Sequence, residues 1–303
     1  MDRFADLRMF VHVAEAGSIS AAADQLAVAK SAVSRRLADL EARLGAELIH
    51  RTTRRLVLTD SGRAFLERAR RILTDLDEAE QAVSQAHGAL SGKLKVAMPV
   101  AFGIKHLGPL LSEFMVRHPG VEFDLDFNDR HIDLMQEGFD LAIRIARLQD
   151  SSLIARRLAP IRSALCASPA YLARHGTPST AADLARHRGL LYSNLTHPGL
   201  WHYTGPDGQP GSVTVPARLS ANNGDFLCQA AMAGEGIILH PTFYLSEYLR
   251  TGALVPLLTD HIWPQVDAYA VYPPTRHLSR RVRALVDFLA ERLAGVPYWD
   301  RLD

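Results

Sequence analysis

Between residues 65 and 90, apolar side chains recur at alternating steps of four and three: Phe65, Ala69, Ile72, Leu76, Ala79, Val83, Ala86 and Leu90. The positions between them are mostly charged or polar, among them Glu67, Arg68, Arg70, Arg71, Asp75, Asp77, Glu78, Glu80, Gln81 and Gln85. Only a helix returns to one face at this spacing, and a seam held over about three and a half heptads predicts a single long helix. Such a helix divides the chain into a helical segment before it and a longer segment after it. A helix that joins two domains has little of its own chain on which to bury an apolar stripe. The seam therefore predicts pairing with a second copy through Phe65, Ala69, Ile72, Leu76, Ala79 and Val83; the alternative is a long helix packed on its own globular domain.

The helical segment is short and basic at its end. Phe4 to Ala16 carries Leu7, Phe10, Val11 and Ala14 at helical spacing and stops at Gly17. Ser18 or Ser20 then caps a second helix running through Leu26. After a break at Ala27-Val28-Ala29, a third helix extends from about Lys30 to Leu44 and ends at Gly45. At about 100° per residue, Val33, Leu37, Leu40 and Leu44 share a stripe, while Ser31, Ser34, Arg35 and Ala38 fall opposite. A slim polar face at the start of a helix fits the DNA major groove, where Arg and Ser hydrogen-bond base edges. Lys30 at the leading end reaches a base or a phosphate; Arg36, on the flank, suits a phosphate.

Net charge over the chain is only +1, but a local excess is what phosphate binding requires. From Lys30 to Arg55 the basic residues Lys30, Arg35, Arg36, Arg43, Arg51, Arg54 and Arg55 face only Asp39, Glu41 and Glu47. Thr52-Thr53-Arg54-Arg55 reads as a hairpin turn, with Leu56 and Leu58 pointing inward and Thr59 or Asp60 capping the next helix. Three arginines there suit a wing over phosphates and the minor groove, against the alternative of a solvated turn. Ser18, Ser20, Lys30, Ser31, Ser34, Arg35, Arg36, Arg51, Thr52, Thr53, Arg54 and Arg55 are thus the candidate DNA contacts.

The stretch "LRMFVHVAEAGSISAAADQLAVAKSAVSRRLADLEARLGAELIHRTTRRLVLTDSG" resembles the winged helix-turn-helix of LysR-type transcriptional regulators. The shared features are a first helix ending in Ala-Gly-Ser, then Ala-Ala, Ala-Val-Ser, Leu-Glu-x-x-Leu-Gly and an Arg-rich wing closing on Leu-Thr. Lys30 departs from the Gln common there, so base preference at that position is expected to differ from that of typical members. The resemblance implies dimerisation through the linker helix, and two-fold symmetry then implies inverted half-sites in double-stranded DNA.

Gly88-Ala89-Leu90-Ser91-Gly92 breaks the long helix, and strands then alternate with helices. The candidate strands are Leu94–Met98, Val121–Phe127, Leu141–Ile145, Ser163–Ala167, Leu190–Tyr192, Arg218–Ala221, Ile237–Leu239, Leu254–Leu257 and Val266–Tyr272. The candidate helices include Ile104–Arg117, Ile132–Glu137, Pro169–Arg174, Asp225–Ala233 and Leu278–Arg292. This alternation predicts α/β construction with largely parallel sheets. "CASPAYLARHGTP" and "AAMAGEGIILHP" extend the resemblance into the LysR effector-binding domain, which has the type II periplasmic-binding-protein-like fold. The expected architecture is an α/β multi-domain chain. It comprises an all-α winged helix-turn-helix at 1–60, a linker helix at 61–88, a hinge at 89–93 and a two-lobed domain at 94–303. Lobe 1 is placed at 94–163 and 267–303, and lobe 2 at 164–266.

In open α/β sheets ligands lie beyond the carboxyl ends of strands. That rule selects Val100, Ala101, Phe102, Arg144, Ile145, Ser193, Asn194, Asn222, Asn223 and His240. Helix starts at 100–103 and 222–225, together with the charge of Arg144, favour a small anion such as a carboxylate. The alternative for Arg144 is a structural pair with Asp140 or Asp150, and Asp225 reads as a helix-start residue.

Other chemistries find little support. Cys166 and Cys228 are too few for a disulfide framework or Cys-rich zinc site, and read as buried structural thiols. The thirteen histidines show no ligand spacing, so no metal or cofactor is expected. Glu122, Asp124 and Asp126 alternate with apolar residues, as one wet strand face does. Trp201, Tyr203 and Trp263 read as lobe 2 packing rather than a pocket lining. There is no G-x-S-x-G elbow and no phosphate loop after a strand. The start lacks a secretory apolar run and no stretch could span a membrane, so a cytoplasmic address is expected.

The expected function is a DNA-binding transcriptional regulator, a homodimer or homotetramer gated by a small-molecule effector and touching RNA polymerase if it activates. The rival readings are an effector-independent repressor and an α/β enzyme fused to a DNA-binding module. Arg54→Ala is expected to weaken binding to all sequences evenly and to lower the salt slope of binding by about one unit, read from a salt titration of affinity.

Overall fold

The structure, a computed structural model, describes residues 2–51, 56–84, 89–130, 132–147, 151–274 and 278–301. It forms two compact units, one chiefly of residues 1–89 and one chiefly of residues 90–303. The wing residues Thr52, Thr53, Arg54 and Arg55, the seam residue Ala86 and the candidate partner Asp150 lie outside the described residues. So do the side chains of Arg51, Ala79 and Val83.

The first unit contains α1 (Arg3–Ala16), α2 (Ile19–Gln25), α3 (Lys30–Leu44), strands β1 (Ile49–Arg51) and β2 (Leu56–Leu58), and α4 (Asp60–Ser84). Asp2 caps α1 by accepting from the Phe4 and Ala5 amides. Ser18, not Ser20, caps α2, accepting from Ala21 at 3.4 Å. The turn into α3 places Ala27 at φ 54°, a left-handed conformation unusual for a residue with a Cβ. Gly45, at φ 64°, ends α3 in the same region. Met9, Phe10, Val13, Ala22, Ala23, Val33, Leu37, Leu40, Leu48 and Ile49 form the core.

Two expectations for these helices are corrected. The buried face of α1 is Asp6, Met9, Phe10 and Val13 rather than the set containing Leu7, Val11 and Ala14. The helix is rotated because Asp6 must meet Arg43 and Arg36 of α3. Leu44 is exposed, since the last turn of α3 runs past the helices that bury Val33, Leu37 and Leu40.

The long helix α4 begins against the wing. Thr59 caps it, accepting from the Gly62 amide at 2.8 Å. A Cβ at residue 62 would lie 2.0 Å from the Leu48 carbonyl oxygen, so only glycine permits this approach. Part of the apolar stripe expected to pair with a second copy is used within this unit. Phe65 packs on Phe10 with ring centroids 5.3 Å apart, and Ala69 is fully buried. Both are already covered within this unit because α1 lies alongside the first turns of α4, and Arg70 reaches Glu15 there at 2.8 Å. Ile72 is 44% exposed and Leu76 is half-buried. Leu90 leaves the stripe and packs on the core of the second unit.

The second unit is built from two five-stranded sheets. Its elements are β3 (Ser91–Met98), α5 (Val100–Phe102), α6 (Gly108–Arg117), β4 (Gly120–Phe127), β5 (Leu141–Ala146), β6 (Ile154–Ile161), β7 (Ser163–Ala167) and α7 (Pro169–His175). Next come β8 (Gly189–Tyr192), β9 (Leu200–Thr204), β10 (Pro210–Thr214), β11 (Ala217–Ala221), α8 (Gly224–Met232) and β12 (Ile237–Pro241). The last are α9 (Thr242–Arg250), β13 (Val255–Pro256), β14 (Val266–Tyr272) and α10 (Arg280–Arg292). Lobe 1 has the order β4-β3-β5-β14-β6 and lobe 2 the order β11-β8-β12-β7-β13. The chain crosses between them at Arg162, which separates β6 from β7, and again between β13 and β14. Helix α10 returns to lobe 1, where Phe288 meets Phe114 at 5.4 Å.

Both sheets are mixed rather than largely parallel. β14 runs antiparallel to β5 and β6, and β7 antiparallel to β12 and β13, because each crossing reverses the chain. Residues 134–138 form a turn where the spacing predicts a helix over Ile132–Glu137; Leu134 and Phe139 are buried on either side of it, and the Phe139 amide donates to the Leu134 carbonyl oxygen. Strand β6 escapes the alternation test since Ile154 to Arg157 are all exposed, as suits an edge strand carrying Arg156 and Arg157. The hairpin of β9 and β10 and helix α9 were likewise not anticipated. Trp201 and Trp263 pack, with Tyr203, in the lobe 2 core.

An aromatic cluster joins the lobes near the first crossing, where the Thr242 amide donates to the Arg162 carbonyl oxygen at 2.9 Å. A π-helical turn, Gly103–Leu107, links α5 to α6 and carries His106 into it. His106 Nε2 lies 3.2 Å from the Phe243 carbonyl oxygen and Nδ1 lies 2.6 Å from the Tyr298 hydroxyl. The carbonyl can only accept, so the proton sits on Nε2 and Tyr298 donates to Nδ1. Thr242 donates to Asp300 Oδ1 at 2.6 Å beside it. Burial lowers His106 from 6.5 to about 4, so the folded state holds this ring neutral where an unfolded chain would protonate it. Stability is therefore present above pH 6.5 and is lost as pH falls toward 4. His106→Gln is expected to make that acid loss shallower by up to about 1.4 kcal/mol per pH unit, measured by urea unfolding at a series of pH values. An unchanged slope would contradict it.

Candidate nucleic-acid interface and ligand cleft

Helix α3 presents two unlike faces. Val33, Leu37 and Leu40 are buried, whereas Lys30, Ser31, Arg35 and Ala38 are exposed and Ser34 is half-buried. Lys30 and Arg35 have no ion-pair partner among the described residues. Two arginines of the basic segment also have a partner inside this unit. Arg43 sits 3.3 Å from Asp6 Oδ2, and Arg36 Nε lies 3.7 Å from Asp6 Oδ1, so both serve the helix packing first. Arg36 remains about half exposed and keeps a free edge. Ser18 has its hydroxyl committed to the α2 cap, while Ser20 is exposed. Helix α3 starts at Ala29 without a side-chain cap, which leaves its first amides open to a phosphate.

Glu41 has a role that residue counting missed. Its Oε1 accepts from the Leu48 amide at 2.8 Å and the Ile49 amide at 3.1 Å, tying β1 to α3. It therefore sets the wing's position rather than offsetting the basic patch. The signal was its place directly after buried Leu40 and a short loop before the hairpin. In the wing, Arg51 pairs with Leu56 in register, and Leu56 and Leu58 are half-buried around exposed Val57.

In the second unit, the candidate ligand residues separate into three groups. Ala101 and Phe102 are core: Phe102 is fully buried against Phe243 and Trp299. Ile145 packs at the edge of the same core. Arg144 is half-buried and donates from Nη2 to the Ile132 carbonyl oxygen inside lobe 1, with burial lowering its pKa and Asp133 nearby. It does not pair with Asp140, whose carboxylate instead accepts from the Lys95 amide at 2.8 Å. The Val100 amide donates to Asp129 Oδ1 at 3.1 Å, so an internal carboxylate already sits on that helix start. Asn223 caps α8, accepting from Phe226 at 2.9 Å. Ser193 and Asn222 are exposed.

The residues that the structure does bring together are Asn194, His240 and four that the sequence reading missed. Asn194 Nδ2 lies 3.2 Å from the Tyr192 hydroxyl and 3.4 Å from the Asp129 carbonyl, linking lobe 2 to lobe 1. His240 is buried between Tyr192, at 5.8 Å, and Tyr244, at 4.4 Å. Its Nε2 has no hydrogen-bond partner, and burial lowers its pKa to about 3. Lys105, on the π-helical turn, pairs across the cleft with Asp225 and lies 5.6 Å over the Tyr244 ring. Asp225 thus does more than start a helix. Asp129 has its pKa raised by burial, with Asp225 adding to the rise. Asp129 and Tyr192 lie after the carboxyl end of β4 and at that of β8, where the strand-end rule would have found them. Lys105 and Tyr244 offered no such signal.

Cys166 and Cys228 are buried and free, and burial pushes the Cys228 thiol up to about 12. Among the described residues no group of three or more His, Cys, Asp or Glu could hold a metal, and no helix is long and apolar enough to cross a membrane.

Comparison with known proteins places these features. The model for bacterial regulatory helix-turn-helix proteins of the lysR family matches residues 4–63, and that for the LysR substrate binding domain matches residues 87–294. The structure of CrgA, a LysR-type transcriptional regulator from Neisseria meningitidis, shares 35% identity at a TM-score of 0.62, covering 96% of this chain and 99% of that one. The full-length Vibrio cholerae virulence activator AphB shares 28% identity at a TM-score of 0.61, covering 95% and 99%. A transcriptional repressor of Pseudomonas aeruginosa, PA14_22550, is 35% identical over 300 residues, covering 98% of this chain and 94% of its own.

Glu41→Ala removes both hydrogen bonds that hold β1. It is expected to destabilise the first unit by about 1–3 kcal/mol, seen as a lower unfolding midpoint, whereas Glu41→Gln keeps an acceptor and most of the stability.

Proposed function

Because the chain belongs to the LysR family of bacterial regulatory helix-turn-helix proteins, DNA-binding transcriptional regulators rather than enzymes, we propose that it holds an inverted-repeat operator as a dimer or tetramer. We propose further that a small metabolite in the interlobe cleft gates that binding. The observation that carries the DNA reading is the unpaired Lys30, Ser31 and Arg35 face, lying opposite buried Val33, Leu37 and Leu40 on one helix. With the apolar side anchored, the polar side enters the major groove; Arg35 and Ser34 read base edges, and Arg36, Arg51, Arg54 and Arg55 hold phosphates. Two copies join along α4, where exposed Ile72 and half-buried Leu76 take up the seam that Phe65 and Ala69 leave to α1. A two-fold axis through that seam sets the half-site separation.

An effector acts by binding one arrangement of the lobes more tightly than another, which shifts the placement of the DNA-binding units. The relatives carry both signs of control, an activator and a repressor, so the sign here depends on where the operator lies relative to the promoter. RNA polymerase is a partner where the outcome is activation. Footprints with and without cell metabolites separate effector gating from an effector-independent repressor.

Fragments of the protein's own genome, selected by binding, supply the operator for the decisive measurement. Arg35→Ala or Ser34→Ala is expected to weaken that operator by about 1–3 kcal/mol and to relax base preference at one position per half-site. Wild-type affinity in Arg35→Ala would show that another face of α3 meets the duplex.

A further inference from the structure

We propose that Lys105 is the anion-binding residue of the interlobe cleft and that Asp225 occupies it as an internal surrogate, so that a small carboxylate ligand and Asp225 compete for one ammonium group. The proposal rests on the effector-gated reading and deepens it by naming the residue, the ligand class and the direction of the response.

The first support is the division of labour along the π-helical turn. Its consecutive residues Lys105 and His106 both reach lobe 2, but in different ways. His106 is buried and makes a neutral hydrogen bond to the Phe243 carbonyl oxygen. Lys105 makes an ion pair whose side chains are 39% and 34% exposed. A pair that wet exchanges readily for water or for another anion, so the turn has one fixed anchor and one releasable latch. π-Helical turns of this kind concentrate at functional sites.

The second support is elimination among the other anion-accepting groups. Arg144 holds one bond to the Ile132 carbonyl oxygen within lobe 1 and, among the described residues, hydrogen-bonds no carboxylate that a ligand could replace, and the Val100 amide already has Asp129. Lys105 instead faces a single carboxylate that a ligand can replace like for like. Asp225 also sits near Asp129, whose pKa is raised by burial first and by the Asp225 charge in addition. A ligand carboxylate therefore takes the place of Asp225 rather than joining it, since a third carboxylate in the cleft would add to that repulsion.

The third support lies directly behind the latch. Gly224 opens α8 one residue before Asp225, and its backbone presses on the imidazole of His240: a Cβ there would lie 2.3 Å from Nε2. That nitrogen is fully buried and has no partner. When Asp225 lets go and the first turn of α8 retreats, Nε2 is uncovered and can take a polar group on the ligand. The ligand is accordingly a small carboxylate with a second hydrogen-bonding group, seated against the Tyr244 ring. Its binding loosens the lobe contact at the start of α8 instead of tightening it.

The test uses the full-length protein and sodium acetate as the probe, titrated by calorimetry at constant ionic strength, with methylammonium chloride as the opposite-charge control. Asp225→Asn vacates Lys105 and is expected to bind acetate at least about ten-fold more tightly than wild type, and the added Lys105→Met to abolish the gain. In wild type, acetate is expected to speed amide exchange at Phe226 and Leu227. The swapped protein, Lys105→Asp with Asp225→Lys, restores the latch and is expected to respond to methylammonium in place of acetate. The proposal is overturned if Asp225→Asn gains no affinity, if Lys105→Met leaves the gain intact, or if the swap leaves the probe preference unchanged. Such a result with metabolite-sensitive footprints intact would leave gating in place and remove only this site. Footprints indifferent to metabolites, with acetate still competing at Lys105, would do the reverse.

Discussion

The carboxylate of Asp6 lies beneath α3 with only 3% of the residue exposed, and Arg43 and Arg36 both come to it. A carboxylate in that position is tolerated only if paired, and breaking a buried pair typically costs about 3–5 kcal/mol. The pairing locks the rotation of α3 about its own axis against α1. Everything that gives the helix a task depends on that rotation, since it decides which residues are buried and which are offered outward. Glu41 extends the same logic one step along the chain by fixing β1 and hence the wing to the helix. Two acidic side chains, one in α1 and one in α3, thus position the basic segment.

The same economy of groups governs the second unit. Cleft donors and cations that a ligand would use are satisfied internally: the Val100 amide by Asp129, Arg144 by a main-chain carbonyl and Lys105 by Asp225. Only the last of these crosses between lobes. His106 crosses too, but through a buried bond in which the neutral ring donates from Nε2 to a main-chain carbonyl that no ligand replaces. The two lobes are consequently held by a permanent contact and an exchangeable one a single residue apart, a geometry suited to converting a binding event into a small relative movement.

Much of this was legible from residue order alone. The extents of α1, α2 and α3 follow from glycines at the ends of α1 and α3 and from apolar spacing, and the strands Ser163–Ala167 and Val266–Tyr272 fall where apolar runs placed them. The buried stripe of α3 was also readable, except for Leu44, because a period of 3.6 needs no partner to be detected. The seam was read correctly as a long helix, but how the stripe is shared was not: nothing in the period tells that α1 covers Phe65 and Ala69. Strand β6 was hidden by its exposed arginines, and the mixed direction of both sheets arises from crossings that no local pattern records.

By itself, then, the order of amino acids determined most classes of element, the family and the buried and exposed faces of α3, since these depend on contacts a few residues apart. Tertiary structure alone decided which charges are free. Arg36, Arg43 and Arg144 look like available cations until Asp6 and the Ile132 carbonyl are brought beside them. Lys105 and Asp225, 120 positions apart, become one site only when two lobes meet. A charge's availability is set by its neighbours in space, and a linear pattern does not contain that distance.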